Sequence, residues 1–256
     1  MDYNFHTHTV RCSHATGTER EYIESAIAAG IKELGFSDHI PFIFPDGTEN
    51  FYRVPVVEVD DYINTINELK VEYKDKINIY VGFEVEYYPK YFDKMVENAR
   101  RWGAEYLILG QHSVGSEPEY FFWTASPTND ENIVKYYADR IVAAITSGVF
   151  TYVAHPDMLD FLGDDEIYVR EMSKICQAAQ DKRVPLEINF LGIRENRRYP
   201  NERFWRVAQN FDVDVVFGFD AHDVAGAGDT HSLKRAMEIC EKYKLHVLKK
   251  PELVRI

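Results

Sequence analysis

The N-terminal segment Phe5-His6-Thr7-His8 places two histidines two residues apart, at the end of a short strand-like run that begins at Tyr3. Side chains at positions i and i+2 of a strand point to the same face of the sheet. Both imidazoles can therefore reach one point, as two ligands of one metal ion would. An HxH pattern alone is equally compatible with two surface histidines. Its meaning depends on whether other potential ligands lie at the same end of the same sheet.

Outward from this segment, strand-like and helix-like segments alternate along the chain without a low-complexity linker. Apolar runs that are typical of strands lie at 34–36, 77–83, 106–109, 150–154, 185–189 and 213–218. Helical periodicity and capping residues indicate helices at about 18–30, 60–75, 92–99, 131–148, 165–182, 204–208 and 233–240, with Thr128 as the predicted start of a capping box for the fourth. With the N-terminal strand, these segments form seven strand–helix units, one fewer than the usual eight. The sequence therefore predicts one α/β domain over residues 1–256, a distorted (β/α)7 TIM-like barrel with its active site at the carboxyl ends of the strands.

Composition and charge restrict the class of function. The 256 residues carry a formal charge of −13, which argues against a nucleic-acid surface but permits a phosphorylated substrate where bound cations invert the local field. Cys12, Cys176 and Cys240 are scattered and suggest no disulfide framework. No signal peptide is visible, and no apolar run reaches the roughly 20 residues of a membrane span. We therefore expect a soluble cytoplasmic protein with no nucleic-acid or membrane partner; the sequence contains no signal for an oligomeric state.

Ionisable side chains recur at the predicted carboxyl ends of the strands, namely His6, His8, His39, Glu84, His112, His155, Asp220 and His222. His14 follows the first strand in a loop that can fold over the same opening. Of the nine histidines, only His231 and His246 lie outside this pattern. The strand ends of a parallel barrel all open onto one face. A buried core histidine is the alternative for any single position, but the set as a whole predicts a metal centre.

Nine potential ligands exceed the needs of one ion, which takes four or five including a water. The set predicts two or three divalent ions with at least one bridging carboxylate. Imidazole and carboxylate donors favour zinc, iron or manganese over calcium and magnesium. Cys12 lies near the same opening, and we expect it to pack rather than to bind metal.

These residues resemble the polymerase-and-histidinol-phosphatase (PHP) superfamily. The resemblance is carried, in order along the barrel, by His6-Thr7-His8, Cys12-Ser13-His14, Ser37-Asp38-His39, Phe83-Glu84-Val85-Glu86, Gln111-His112-Ser113, Ala154-His155-Pro156 and Asp220-Ala221-His222. Within the superfamily, Asp38-His39-Ile40-Pro41-Phe42 and Glu187-Ile188-Asn189, followed by Gly192-Ile193-Arg194, are similar to the histidinol-phosphate phosphatase branch.

The resemblance implies three ions and assigns their ligands. The implied sets are His6, His8, Glu84 and Asp220 for the first ion, Glu84, His112 and His155 for the second, and His14, His39 and His222 for the third. The spacing of the residues requires several ions but makes no such assignment.

The expected activity is that of a metal-dependent phosphomonoesterase, in which a metal-bridging hydroxide attacks phosphorus directly. The resemblance implies L-histidinol phosphate as the substrate, hydrolysed to L-histidinol and phosphate in histidine biosynthesis. Another PHP phosphoesterase, acting on a different small ester or a nucleotide, is the first alternative. A metal-binding regulatory protein without activity is the second. A lysine-bridged amidohydrolase barrel is disfavoured because Glu84 occupies the strand end.

The candidate catalytic residues are Asp220, His222, Arg194 and Arg197. Asp220 could accept a proton or only hold its metal. Arg194, Arg197 and Arg198 follow the sixth strand, and a guanidinium fork suits phosphate; Arg194 matches the family's Gly-x-Arg step, and a solvated basic loop is the alternative.

Other side chains have less definite roles. The runs 42–44 and 121–123 could line a substrate pocket or belong to the core. Asp38 and Asp223 could orient imidazoles or be solvated.

Overall fold

The computed structural model describes residues 1–256, along which strands and helices alternate. The strands are β1 (Tyr3–Asn4), β2 (Glu33–His39), β3 (Asn78–Val85), β4 (Tyr106–Gly110), β5 (Ser113–Val114), β6 (Phe122–Trp123), β7 (Val153–Ala154), β8 (Leu186–Asn189), β9 (Asp214–Gly218) and β10 (His246–Val247). The helices are α1 (Glu19–Ala28), α2 (Val59–Glu72), α3 (Phe92–Trp102), α4 (Glu131–Ser147), α5 (Asp165–Lys182), α6 (Phe190–Arg194), α7 (Glu202–Ala208), α8 (Val224–Ala227) and α9 (Ser232–Tyr243). None of the helices combines the length and apolarity of a membrane span.

Eight strands form one parallel sheet in the order β1-β2-β3-β4-β7-β8-β9-β10, and β5 pairs with β6 in a separate antiparallel hairpin. The sheet curls so that the segment that follows β1 meets the segment that follows β9. The His8 N–H donates to the Ala221 carbonyl at 2.9 Å, and the Ala221 N–H donates to the His6 carbonyl at 3.2 Å. The chain segment that carries the HxH pattern therefore closes the barrel at its carboxyl end.

Strand β10 pairs with β9 at the opposite end, where His246 lies beside Asp214. The barrel consequently has seven strands at its carboxyl end and an eighth only at its amino end. The predicted (β/α)7 TIM-like barrel is confirmed. The sequence did not predict β10, the β5–β6 hairpin or the short helices α6 and α8.

Local signals set the ends of most helices. Thr18 caps α1 in a capping box with Glu21, as expected for this residue pair. The predicted capping box at Thr128 was wrong, because the Asp130 carboxylate caps α4 two residues later by accepting from the Asn132 N–H at 2.8 Å. A carboxylate adjacent to the first helical turn can also interact favourably with the helix dipole.

The interior of the barrel below the carboxyl end is filled by large side chains, including Tyr3, Phe5, Tyr106 and Tyr152, all 1% exposed or less. The Tyr106 hydroxyl donates to the Phe5 carbonyl at 3.0 Å. This layer closes the barrel from below, so the polar residues above it line a cleft and not a channel.

Helices α7 and α9 are joined by Glu202, whose carboxylate accepts from Lys242, from Arg235 Nη2 at 2.7 Å and from the Tyr243 hydroxyl at 2.7 Å. The hydrogen bond from Lys242 is the main cause that lowers the pKa of the Glu202 carboxyl to about 2. We expect Glu202→Gln to reduce the free energy of unfolding by about 1 kcal/mol at pH 7, the small value reflecting solvent screening at this surface site.

Because the folded-state pKa of Glu202 is lowered, its contribution is present above the unfolded pKa of about 4.3 and disappears as the pH falls toward 2. Urea unfolding of wild type and variant should therefore converge at low pH. Glu238→Gln, which removes one exposed contact to Arg235, is the matched control and should change stability by less than about 0.5 kcal/mol. A difference that does not vary with pH would contradict the assignment.

Candidate metal centre

The structure brings all nine predicted ligands together at the carboxyl end of the barrel. They are His6, His8 and His14 after β1, His39 at the end of β2, Glu84 in β3, His112 after β4, His155 after β7, and Asp220 and His222 after β9. All except His14 and His222 are buried. The imidazole rings are close to one another: the centroids of His8 and His222 are 4.1 Å apart, and those of His112 and His155 are 5.0 Å apart.

Glu84 lies at the centre of this cluster. Its carboxylate oxygens face ring nitrogens of five histidines, at 2.9 Å for His155, 3.3 Å for His39, 3.4 Å for His112, 3.5 Å for His8 and 3.6 Å for His6. A carboxylate so placed can bridge two ions. This geometry places Glu84 beside both His6 and His155, which belong to the two implied ligand sets that share Glu84.

Asp220 occupies the other side of the cluster. Its Oδ1 is 3.3 Å from His8 Nε2 and 3.3 Å from His222 Nδ1. Its Oδ2 accepts a hydrogen bond from the Asn189 side-chain amide at 3.0 Å. Asp220 itself has a φ of +46°, which is in the left-handed region that non-glycine residues rarely adopt.

The donor atoms fit divalent cations. His6 Nε2, His8 Nε2, His39 Nδ1 and Glu84 Oε2 are buried without a hydrogen-bond partner. Buried polar atoms are normally hydrogen-bonded. Unpaired lone pairs that converge on shared points are what metal ions require, so the donor set fits the expected ions.

The donors form overlapping triplets with ligand atoms within 4.8 Å of one another: His6–His8–Glu84, His39–Glu84–His112, His6–His155–Asp220, His14–His39–His222 and His8–Cys12–His222. The fourth triplet has the same members as the third implied set. The second triplet combines His112 with His39, and the third combines His155 with Asp220, whereas the implied sets place these residues on different ions. The implied assignment of ligands to individual ions therefore stays a prediction. Cys12 is fully buried, and its thiol borders the centre.

Three carboxylates orient the imidazoles from behind. Glu187 lies 2.8 Å from His6 Nδ1, Glu86 lies 2.9 Å from His112 Nδ1, and Asp38 lies 3.4 Å from His8 Nδ1. Each contact leaves Nε2 directed into the cluster and raises the basicity of the ligand.

The sequence left the role of Asp38 open, and the structure makes it a buried orienting group. Asp223 instead caps α8 through the Gly226 N–H. Glu187 and Glu86 were not predicted as site residues. The available signal was a carboxylate within or directly after an apolar, fully buried strand, which needs a partner for its charge.

The carboxylates and imidazoles strongly alter each other's ionisation. Burial raises the pKa of the Glu84 carboxyl, but the imidazoles of His112 and His6 outweigh this effect and hold it well below its usual range. Burial lowers the pKa of His6, yet Glu187, Asp220 and Glu84 together raise it to about 10. The cluster thus attracts positive charge, whether protons or metal ions.

Two glycines provide room for the buried carboxylates. A Cβ at Gly110 would overlap the Glu84 carboxylate, and a Cβ at Gly218 would overlap that of Glu187. Both glycines lie at strand ends next to the carboxylates that they accommodate. Side chains at these positions would displace the two groups on which the imidazoles depend.

The arginines of the loop after β8 have different surroundings. Arg194 donates from Nη1 to the Phe219 carbonyl at 2.8 Å and from Nη2 to the Asp220 carbonyl at 3.2 Å, and it pairs with Asp229 at 3.1 Å. Arg197 lines the cleft, whereas Arg198 pairs with Asp160 at 3.0 Å and is mostly exposed. The structure therefore places Arg197 in the lining of the cleft and Arg194 behind the backbone of Asp220.

A cleft of about 520 Å³ opens above the donors, a size typical of small-molecule sites. Its lining includes the aromatic residues Phe51, Tyr52, Phe121 and Trp123. Trp123 stacks on His112 with ring centroids 5.7 Å apart. Of the two aromatic runs considered for the pocket, 121–123 contributes to its wall, whereas Phe42 and Phe44 are buried in the core.

The barrel and its ring of buried histidines and carboxylates define a metal-dependent barrel enzyme. Comparison with known proteins identifies the family: residues 4–190 match the PHP domain. The chain belongs to the PHP domain family, as its resemblance to that family predicted.

Relatives of known name span most of the chain. It is 28% identical over 236 residues to a probable histidinol-phosphatase of Deinococcus radiodurans, covering 87% of each. It is 24% identical over 253 residues to the histidinol-phosphatase of Bacillus subtilis, covering 87% of this chain and 94% of the relative. A probable phosphatase of Shewanella pealeana is 23% identical over 239 residues, with coverages of 91% and 82%.

The fold is similar to that of a solved histidinol phosphate phosphatase from Lactococcus lactis, complexed with zinc, L-histidinol and phosphate. The TM-score is 0.73 at 20% identity, over 96% of this chain and 95% of the other. At this identity the likeness shows the barrel fold alone.

The space at Gly110 can be tested directly. We expect Gly110→Ala to displace Glu84 from the centre of the cluster and to lower the metal content of the purified protein by about tenfold or more, since even outer partners of metal ligands account for about 10–100-fold in affinity. Elemental analysis after dialysis against buffer containing a weak chelator measures the loss.

Gly35→Ala is the matched control, because its Cβ would overlap the Tyr106 side chain below the cluster and not a ligand. Both substitutions overpack the barrel interior and should cost about 1–3 kcal/mol of stability. The metal content per folded molecule should fall only for Gly110→Ala. Equal metal content in the two variants would refute this role of Gly110.

Proposed function

We propose that this protein is a metal-dependent phosphomonoesterase that hydrolyses L-histidinol phosphate to L-histidinol and phosphate. The observation that carries the proposal is the convergence of nine donors, with Glu84 at their centre, at the floor of a cleft of small-molecule size. The names of the Deinococcus radiodurans and Bacillus subtilis relatives support the substrate. The proposed partner is thus a small phosphate ester, and the reaction is a step of histidine biosynthesis.

We propose that two or three divalent ions are held by His6, His8, His14, His39, Glu84, His112, His155, Asp220 and His222. Zinc, iron and manganese suit these donors. Divalent ions in such a site neutralise the phosphoryl oxygens and lower the pKa of a bound water from 15.7 toward about 7.

Within this proposal, the protein's own groups position the substrate and move the proton. Asp220 Oδ1 accepts the proton of the attacking water, because it is the carboxylate oxygen nearest His8 and His222, and Asn189 fixes its other oxygen. Asp220 would then pass this proton to the leaving alcohol, while His222, whose Nδ1 lies 3.3 Å from Asp220 Oδ1, would bind an ion through Nε2 and hold its charge beside the reacting group.

Arg197 is the proposed phosphate contact, because it is the only arginine or lysine that lines the cleft. Arg194 is proposed to be a positioning residue that does not contact the substrate. Its hydrogen bonds to the Phe219 and Asp220 carbonyls hold the backbone that carries the Asp220 carboxylate. The location in the cytoplasm is also a proposal. It is supported by three cysteines that are free and buried, as suits a reducing compartment.

Activity on a different phosphate ester or a nucleotide is the second candidate, favoured by the similarity to a probable phosphatase of Shewanella pealeana. Phosphate release from a panel of monoesters separates the two. We expect L-histidinol phosphate to be preferred by kcat/KM, and two or three metal ions per chain by elemental analysis. Equal turnover of all esters would remove the histidinol phosphate proposal, and a metal-loaded protein with no turnover would indicate a regulatory protein.

His8→Ala tests the role of the donors. His8 Nε2 faces both Glu84 and Asp220, so its removal should lower metal content and reduce kcat by about 100-fold or more. His231→Ala is the matched control, since His231 lies at the start of α9 outside the cluster. Retention of full activity by His8→Ala would contradict the proposed centre.

Arg197→Ala tests the phosphate contact. A lost charge-assisted hydrogen bond should raise KM about 10- to 100-fold for every phosphate monoester that the enzyme accepts. Arg198→Ala, which removes an exposed arginine of the same loop, should leave KM unchanged. A similar KM for both variants would assign the phosphate contact elsewhere.

A further inference from the structure

The wall of the cleft contains one charged pair that the metal centre does not use. Among the residues that line the cleft, Glu195 is the only carboxylate outside the predicted ligand set, and Arg197 is the only arginine or lysine. Arg197 has a proposed task with the phosphate. Glu195 has none, although its position in the wall exposes every substrate to its charge.

The loop from α6 to Tyr199 holds this pair against the cleft. The Glu195 N–H donates to the Leu191 carbonyl at 3.0 Å, and the Arg197 N–H donates to the Gly192 carbonyl at 2.9 Å. Arg197 Nη1 donates to the Tyr199 hydroxyl at 2.8 Å. The Tyr199 ring in turn lies 5.9 Å from that of His155, so Arg197 is linked through Tyr199 to a predicted metal ligand.

The two side chains pair with each other. Glu195 Oε2 accepts from Arg197 Nε at 2.7 Å, and it is 2.6 Å from Arg197 Nη2. The side chains are 52% and 42% exposed. Ion pairs in such solvated positions contribute little, so each partner is available to a ligand group of opposite charge.

A carboxylate in the wall of a phosphate-binding cleft repels an ester that carries only negative charge. The repulsion becomes an attraction if the same ester also carries a cation at the appropriate distance. Specificity often arises in this way, from a group that penalises the wrong ligand while it binds the right one.

We propose that Glu195 binds the protonated amine of the substrate and thereby makes the enzyme selective for zwitterionic phosphate monoesters. This inference rests on the proposed function and adds a residue that recognises the amine of the substrate. On binding, the phosphate takes Arg197 and the ammonium takes Glu195, so the substrate replaces the internal ion pair with two of its own.

The lining of the cleft also offers a suitable surface for the remaining group of such a substrate. Phe121 and Trp123 are 40% and 38% exposed, and their ring centroids are 6.2 Å apart. Exposed aromatic faces can stack on a planar ring or attract a cationic one. The cleft thus offers cations for phosphate, a carboxylate for an amine and aromatic rings for a heterocycle.

The test compares L-histidinol phosphate with its analogue without the amine, 3-(imidazol-4-yl)propyl phosphate, in wild type and Glu195→Gln. We expect Glu195→Gln to raise KM for L-histidinol phosphate about 10- to 100-fold, with kcat nearly unchanged. KM for the analogue should stay the same or fall, because the repulsive charge is gone. Glu241→Gln, an exposed glutamate on α9, is the matched control and should behave as wild type.

An equal rise in KM for both esters would overturn the inference, because Glu195 would then act only by positioning Arg197. Unchanged KM for L-histidinol phosphate would also overturn it. If the wild type hydrolyses both esters equally well, amine recognition by Glu195 is refuted, whereas the proposed phosphatase activity is not. A wild type that hydrolyses neither, at full metal content, would refute the proposed function itself.

Discussion

The Glu84 carboxylate is the group on which the rest of the site depends. It is 1% exposed and lies within 3.6 Å of five imidazole nitrogens, with no arginine or lysine in contact. A buried anion surrounded by neutral imidazoles is costly, because nothing replaces its lost hydration. Cations at the centre remove that cost. The same cations need the imidazoles neutral. Burial lowers the pKa of His39 and His222, whereas the carboxylates raise the pKa of His6, whose proton a bound ion would displace. Carboxylate, imidazoles and ions therefore require one another.

This requirement extends outward into the barrel. Glu86, which orients His112, is itself neutralised by Arg53 at 2.8 Å, and the same guanidinium pairs with Glu117 at 2.7 Å. Arg53 is fully buried and belongs to the long segment between β2 and α2, whereas Glu117 belongs to the β5–β6 hairpin. One buried cation thus fastens two irregular segments to the metal centre. These segments also carry Phe51, Tyr52, Phe121 and Trp123, so the wall of the cleft and the ligands are held by one network of charges.

The positions of the ligands could be predicted because they follow from local rules. The carboxyl ends of parallel strands meet on one face, and the i, i+2 spacing of His6 and His8 fixes a common direction. What could not be predicted depends on register and on distant partners. The closure of β1 on β9 through Ala221, and the insertion of β10 at the other end, follow from strand register that no local pattern contains. The Gly-x-Arg step indicated Arg194, but the side chain turns to backbone carbonyls, and Arg197 reaches the cleft instead. Glu187 appeared in the sequence only as part of a motif, because its contact with His6, 181 residues away in the chain, follows from the fold and not from a local pattern.

The net charge of −13 raises the question of how such a protein attracts an anionic substrate. A negative surface repels a phosphate ester at long range, but salt screens that repulsion beyond about 8–10 Å. Inside the cleft the field is set by the nearest charges: the ions that the donors hold and the Arg197 guanidinium. Glu195 is the exception in that wall, and it is closest to Arg197. A cleft built for phosphate alone would gain affinity by lacking this carboxylate. The presence of Glu195 is explained if the ligand carries both charges. Glu195 would then discriminate between phosphate esters, while the metal centre would supply the chemistry common to all of them.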